Sequence, residues 1–262
     1  GLSTNFKRGE AMQQLNTKLK QHMRTLHISE AANILEDVLL EAESKNLTYH
    51  EFLYKLISYE VQRREEKSLE RRLKQAAFPE HKSLDAFDLN EQKSLSKKQL
   101  KQLRELWWLD QGYNLILLGP PGVGKTFLAA GLGLEAVHRG YKVSFITMAD
   151  LVQVLKTQEI TRKSKTRLKR IIDSDLVIID DLMFLAMDRH EGNLFFQLIN
   201  KLYGQSSVIV TSNKGPEDWG ELLGDQAIAT AILDRLIHRS EVINLNGDSY
   251  RIKYRETIFG KN

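Results

Sequence analysis

"NLILLGPPGVGKTFLAAGLGLEAVHR", residues 114–139, changes texture twice. Residues 114–119 are a short apolar run ending on glycine, the pattern of a strand buried on both faces. From Phe127 onward the run is rich in Leu and Ala and reads as a helix. Between them stands GPPGVGKT, Gly119 to Thr126. A G-x-x-x-x-G-K-[ST] run between a strand and a helix is a phosphate-binding loop. The glycines let the backbone curl so that successive N–H groups converge on phosphate oxygens, and the helix N-terminus adds its positive end. Gly119, Pro120, Pro121, Gly122, Val123 and Gly124 form the cradle, with the Val123 side chain reading as packing. Lys125 reaches the β- and γ-phosphates, and the Thr126 hydroxyl serves Mg²⁺.

Downstream, four more β-rich runs occur at 142–147, 176–180, 207–212 and 241–245, separated by helical stretches. Continuous apolar strands alternating with helices predict a five-stranded parallel sheet covered on both faces. The third run ends LVIIDD. Carboxylates at the C-terminal edge of such a strand lie where ligands bind. Asp180 is expected on the metal side, and Asp181 beside the γ-phosphate, where it polarises water. The fourth run ends VTSN, and the neutral amide of Asn213 can orient a water without adding charge. AILDRLIHR follows at 231–239, with Arg235 and Arg239 four apart on one helical face. An arginine there could act on a neighbouring subunit's γ-phosphate or pair internally with Asp234 or Glu241, and spacing alone does not choose.

Upstream the texture is helical. The stretch before Met12, residues 1–11, resembles an expression remnant and is set aside. Residues 12–78 are expected to form a small all-helical domain. Leu15, Leu19, Met23 and Leu26 recur on one helical face, Ser29 is placed to cap a second helix, and TYHE at 48–51 is a capping box for a third reaching about Ala76. Pro79 ends this zone. Residues 79–112 read as a linker followed by a helix carrying Trp107 and Trp108, whose bulk suits a core or domain contact. The domain with the phosphate loop takes 113–262.

Composition narrows the class. Apolar residues make up 42% of the 262, enough for a core, and the absence of cysteine excludes disulfides and thiolate metal sites. No run of about eighteen apolar residues and no opening secretory signal are seen, so a cytoplasmic protein is expected. Lys and Arg number 38 against 34 Asp and Glu, for a net charge of +4. Six of those cations, Arg162, Lys163, Lys165, Arg167, Lys169 and Arg170, fall in ITRKSKTRLKR at 160–170 with no acid among them. The rest of the chain thus holds 32 basic residues against 34 acidic. Charge focused in this way suits a polyanionic partner, whereas most solvated helix faces mix signs.

Taken in order, these motifs resemble the AAA+ ATPases. Within them, NLILLGPPGVGKTFLAA, GYKVSFITMADLV, LVIIDDL, VTSNKGPEDWGELLGD, AILDRLIHR and GDSYRIK resemble IstB, the ATPase helper of a class of bacterial transposons, and the helical preface from Leu47 to Asp88 is similar too. DnaC, the replicative helicase loader, is a relative sharing the core. The resemblance implies an α/β P-loop AAA+ core behind a helical domain, ATP and Mg²⁺ as ligands, and a ring or spiral homo-oligomer. It also implies binding to duplex DNA, largely without sequence preference, and presentation of that DNA to a partner transposase inside a bacterial cell, at the nucleoid when DNA-bound. Lys125 and Thr126 match the nucleotide-binding positions, Asp180 the metal-side acid, Asn213 the first sensor and Arg235 the finger acting in trans. Asp181 stands where many AAA+ proteins have glutamate, so slow turnover is expected. Phe127 stands where histidine is often found. Arg251 in GDSYR is a candidate second phosphate contact. The basic run falls where helices of this clade face the central channel. A helicase loader is the alternative and would prefer single-stranded DNA. A small-molecule kinase is disfavoured, having no use for Asn213 or Arg235.

Overall fold

The computed structural model describes residues 1–262 except 81–82, 88–94, 183–185, 246–258 and 260–262. The chain forms two compact units, residues 1–70 and 71–262. The expectation for Arg251 lies outside the described residues.

The first unit contains α1 (Leu2–Thr25), α2 (Ser29–Lys45) and most of α3 (Tyr49–Ala76). Helix α1 runs through residues 2–11 as well, all of them exposed. Of its expected apolar face only Met23 joins the core, with Ala31, Ala32, Leu35, Val38 and Leu56, while Leu15, Leu19 and Leu26 are exposed. Ser29 does not cap α2. Ile28 holds the N-cap position without a side-chain bond, and the backbone N–H of Ala31 instead donates to Glu60 Oε2 at 2.9 Å. Glu60 is buried, so α3 supplies a carboxylate to an otherwise unpaired helix N-terminus. Thr48 behaves as expected, its hydroxyl accepting from Glu51 N (3.2 Å).

In the second unit, the expected helix with two tryptophans is broken. Helix α4 (Lys97–Arg104) stops, Leu106 takes φ +61°, and α5 (Trp107–Asp110) follows. Trp108 is fully buried and donates to Leu103 O at 2.8 Å, whereas Trp107 lies at the surface against Tyr113. The core is then β1 (Asn114–Leu118), α6 (Lys125–His138), β2 (Val143–Thr147), α7 (Met148–Thr157), α8 (Arg162–Ile172), β3 (Leu176–Leu182), α9 (Arg189–Leu202), β4 (Ser207–Ser212), α10 (Trp219–Leu222), α11 (Gln226–Ile237) and β5 (Ser240–Asn244). All five strands pair in parallel, in the order β2-β3-β4-β1-β5.

Alternation assigns the two faces. Ile116, Val177, Ile179, Val208 and Val210 join a core with α7, α8, α9 and α11. Ile178, of the opposite phase, meets α6, where a Cβ on Gly133 would lie 2.6 Å from it. Thus the chain leaves β1 across one face and leaves β4 across the other. The crevice at the C-terminal ends of these neighbouring strands is the switch point where ligands bind in open α/β sheets.

Beyond β4 the chain packs through Trp219, fully buried, whose ring N–H donates to Lys214 O at 3.0 Å. This segment reaches α9 at Gly192, where a Cβ would sit 2.5 Å from the carbonyl oxygen of Leu223. Backbone cannot yield as a side-chain tip does. Gly192→Ala is expected to cost about 1–3 kcal/mol despite its better helix propensity, and to lower Tm by roughly 2–4 °C per kcal/mol in thermal unfolding.

Candidate nucleotide site

The loop after β1 turns on glycines with left-handed backbone, Gly122 at φ +83° and Gly124 at φ +97°, the latter serving as N-cap of α6. Lys125 opens the helix and is buried. Its ammonium donates to Gly119 O (2.7 Å) and Pro120 O (2.8 Å), so it is held inside the loop by the cradle's own carbonyls. Burial pulls its pKa below the usual lysine value, opposed by the negative charges of Asp181 and Asp180.

The acid pair is set by an irregularity between β3 and β4. Ile179 pairs with Val210, but the next match is Leu182 with Ser212. Two residues, Asp180 and Asp181, therefore stand opposite one, Thr211, as in a β-bulge. Asp181 takes φ +58°. The Thr211 hydroxyl donates to Asp180 Oδ1 (2.6 Å) and accepts from Asp181 N (2.9 Å), and the Thr126 hydroxyl donates to the same Asp180 oxygen (2.8 Å). Asp180 is buried and Asp181 is exposed. Although the residue is exposed, partial desolvation of its carboxyl over the cavity, and then the neighbouring Asp180 charge, raise the Asp181 pKa, while Lys125 opposes the shift.

A cavity of about 590 Å³ opens over these groups, lined by Pro121, Gly122, Gly124, Lys125, Thr126, Asp181 and Asn213. Pro79, Phe127 and Ala130 add apolar lining suited to a base or sugar. Phe127 stacks on Phe87 with ring centroids 5.8 Å apart, so the departure from histidine adds an aromatic wall. The sequence reading missed Thr211, whose one signal is a hydroxyl interrupting the apolar run of β4, and Pro79, read there only as a helix stop. The oxygen donors Thr126 and Asp180 suit a hard cation such as Mg²⁺, which takes one or two protein oxygens beside phosphate oxygens and waters.

Arg235 is not part of this cavity. The main-chain N–H of Asn114, at the start of β1, donates to Arg239 O (2.7 Å), and its amide donates to Leu236 O (3.0 Å). The arginine segment thus lies at the N-terminal end of the strand whose other end carries the phosphate loop. Arg235 Nε donates to Asn200 Oδ1 (2.8 Å), and Arg239 donates to Gln111 O (3.0 Å).

The basic run forms α8, capped by Thr161, whose hydroxyl accepts from Ser164 N. Its six cations are not equivalent. Arg167 is half-buried and donates to Phe145 O (2.6 Å) and Gln75 O (3.3 Å), and burial lowers its pKa. It ties α8 to β2 and to the end of α3. Arg162, Lys163, Lys165, Lys169 and Arg170 are exposed. Arg162, Lys163 and Arg170 line a groove of about 940 Å³ shared with α7, and Lys165 and Lys169 lie outside it.

A phosphate cradle at the switch point of a sheet in this order, flanked by an acid bulge, defines a P-loop ATPase of the AAA+ class. Residues 21–257 match the family described as IstB-like ATP binding protein, and the chain belongs to that family. It is 40% identical over 254 residues to an insertion sequence IS21-like ATP-binding protein of Bacteroides fragilis, covering 97% of each chain. It is also 40% identical over 239 residues to the insertion sequence IS21 ATP-binding protein of Pseudomonas aeruginosa, covering 91% of this chain and 88% of that one. Among solved structures, DnaI superposes with a TM-score of 0.52 at 22% identity over 62% of this chain and 90% of that one. AMPPCP-bound DnaA from Aquifex aeolicus gives 0.51 at 24% identity over 62% and 49%. These two likenesses establish the fold.

Thr211→Val keeps the shape of the side chain and removes both hydroxyl bonds. The Asp181 N–H and one Asp180 oxygen then lose a partner, at a cost of about 1–3 kcal/mol. ATP turnover is expected to fall at least about tenfold through misplacement of the acids, with ATP affinity changed much less. Thermal unfolding together with steady-state hydrolysis checks both effects.

Proposed function

We propose that this ATPase is a helper of insertion-sequence transposition, a homo-oligomer that assembles on duplex DNA when ATP is bound and presents the DNA to a partner transposase. The observation that carries the reading is an exposed helix with five outward cations on the same core as the phosphate site. The names of the relatives, ATP-binding proteins of insertion sequences, supply the context.

In this reading Lys125 exchanges its bonds to Gly119 O and Pro120 O for phosphate oxygens, and the Gly122–Gly124 backbone follows the phosphate chain. Thr126 and Asp180 would hold Mg²⁺, which would supply neutralisation of phosphate charge. Asp181 faces the cavity as the acceptor for a proton of the attacking water, and Asn213 orients that water. Thr211 fixes the distance between the two acids. Arg235, at the far end of the sheet from its own cradle, serves the site of the adjoining copy, where it stabilises charge on the transferred phosphoryl group. Aspartate in place of the commoner glutamate makes turnover slow. An ATP state that outlives assembly suits a switch better than a motor.

Lys125→Ala is expected to lose ATP binding, whereas Asp181→Asn is expected to bind ATP, cease hydrolysis and hold DNA longer. Nucleotide titration and single-turnover hydrolysis separate these outcomes. An Asp181→Asn variant turning over at the wild-type rate removes this residue from the mechanism.

For DNA, the salt slope is the measurement. Neutralising Lys165, Lys169 and Arg170 together should weaken binding to all duplexes alike and flatten the slope of log K against log salt by roughly 0.9 for each phosphate no longer neutralised. ATP binding should be untouched. Arg167 belongs outside that set, because its bonds to Phe145 O and Gln75 O make its loss a folding defect. An unchanged slope returns α8 to a solvated surface, and a preference for single-stranded DNA points to a loader.

A further inference from the structure

Arg235 sits on α11 with its guanidinium restrained from three directions. Nε donates to Asn200 Oδ1 at 2.8 Å, Nη1 donates to Ala231 O at 3.2 Å, and the guanidinium carbon lies 5.0 Å from the centroid of the Phe196 ring. Asn200 and Phe196 are four residues apart on α9, so they share one face of that helix, the face packed against α11. Of the five N–H groups of a guanidinium, these contacts occupy Nε–H and one on Nη1. Among the described residues both on Nη2 and the second on Nη1 remain, which is the fork that grips phosphate oxygens.

The chemistry of Asn200 is specific. A carboxylate at this position would accept the same hydrogen bond, but it would also neutralise the guanidinium and compete with phosphate for it. An amide oxygen orients the arginine and leaves its full charge available. Arg239 differs, since it uses a terminal nitrogen, Nη1, for Gln111 O and lies 5.8 Å over the Tyr113 ring. Its fork is turned onto its own main chain.

We propose that Asn200 and Phe196 are positioning residues that aim Arg235, in its charged form, at the nucleotide of an adjoining copy. The inference rests on the reading of Arg235 as a residue acting in trans. Without the clamp, the long side chain samples many rotamers and the fork must be ordered during each turnover. With it, the donors are pre-aligned before the phosphoryl group moves.

The test uses the assembled protein with duplex DNA and measures steady-state ATP hydrolysis for wild type, Arg235→Ala, Asn200→Ala, Asn200→Asp and Phe196→Leu. Each variant is also mixed with Asp181→Asn, which retains an intact Arg235 and clamp. Asn200→Asp is the informative change because it keeps size and acceptor. It is expected to lower kcat roughly tenfold to a hundredfold, as a misdirected group does, with the KM for ATP unchanged. Phe196→Leu should give a smaller loss. Mixing Asn200→Asp with Asp181→Asn should restore activity, because an intact acid pair then meets an intact clamp across the interface. A merely structural Asn200 predicts wild-type kcat for Asn200→Asp. That result, beside an Arg235→Ala variant that is impaired and is rescued by mixing, overturns the clamp and leaves the trans arginine standing. If Arg235→Ala itself keeps wild-type kcat, or is not rescued although mixed oligomers form, the trans reading fails and the clamp with it.

Discussion

The hydroxyl of Thr211 donates its proton to Asp180 and accepts one from the main chain of Asp181, and the candidate active site depends on both bonds. β3 and β4 are parallel neighbours whose register slips by one residue at their C-terminal ends. An unpaired residue there would leave a main-chain N–H unsatisfied beside the site. The threonine side chain takes the place of the missing ladder bond and in the same stroke fixes a carboxylate. Thr126, arriving from the helix on the opposite face of the sheet, donates to that carboxylate too. One oxygen of Asp180 therefore joins β3, β4 and α6, and keys the phosphate loop to the acid pair.

The sheet was legible because each strand is a short apolar run bounded by turn residues, a signal that tertiary context reinforces. Four of the strands lie within a residue of their expected limits, and β3 runs on through the acid pair to Leu182. The phosphate loop was legible because its glycines answer to backbone conformation. What escaped was whatever depends on partners distant in sequence. Glu60, which takes over the N-terminus of α2 from Ser29, is one case. Another is the bulge, which appears only when the register of β3 is compared with that of β4. The apolar face of α1 misled, since periodicity shows that a helix has a stripe and not that the stripe is buried. Leu15, Leu19 and Leu26 keep theirs in solvent.

The same limit applies to charge. In ITRKSKTRLKR the six cations look alike, yet helical geometry sorts them. Arg167 follows Lys163 by four and precedes Leu168 and Ile171, both buried, so its stem is drawn toward the core and its head finds carbonyls there. Arginine suits that position because it keeps its charge where a lysine would shift. Its half-buried guanidinium satisfies main-chain oxygens and holds α8 in place, much as the hydroxyl of Thr211 satisfies a main-chain N–H and holds the acid pair. The other five cations of the run stay exposed on the helix that it anchors.

Aspartate rather than glutamate at position 181 follows from the same bulge. The extra residue is accommodated with φ at +58°, in the left-handed region, where side chains beyond glycine are strained and where Asp and Asn are the best tolerated. A glutamate here would extend farther into the cavity but would meet a larger conformational cost in the turn that aims it. The backbone that places the acid over the cavity thereby favours the shorter acid. Partial desolvation and the Asp180 charge act to raise the pKa of this carboxyl, with the Lys125 ammonium opposing them. Its reach is bounded by the bulge, and so by the register of β3 against β4.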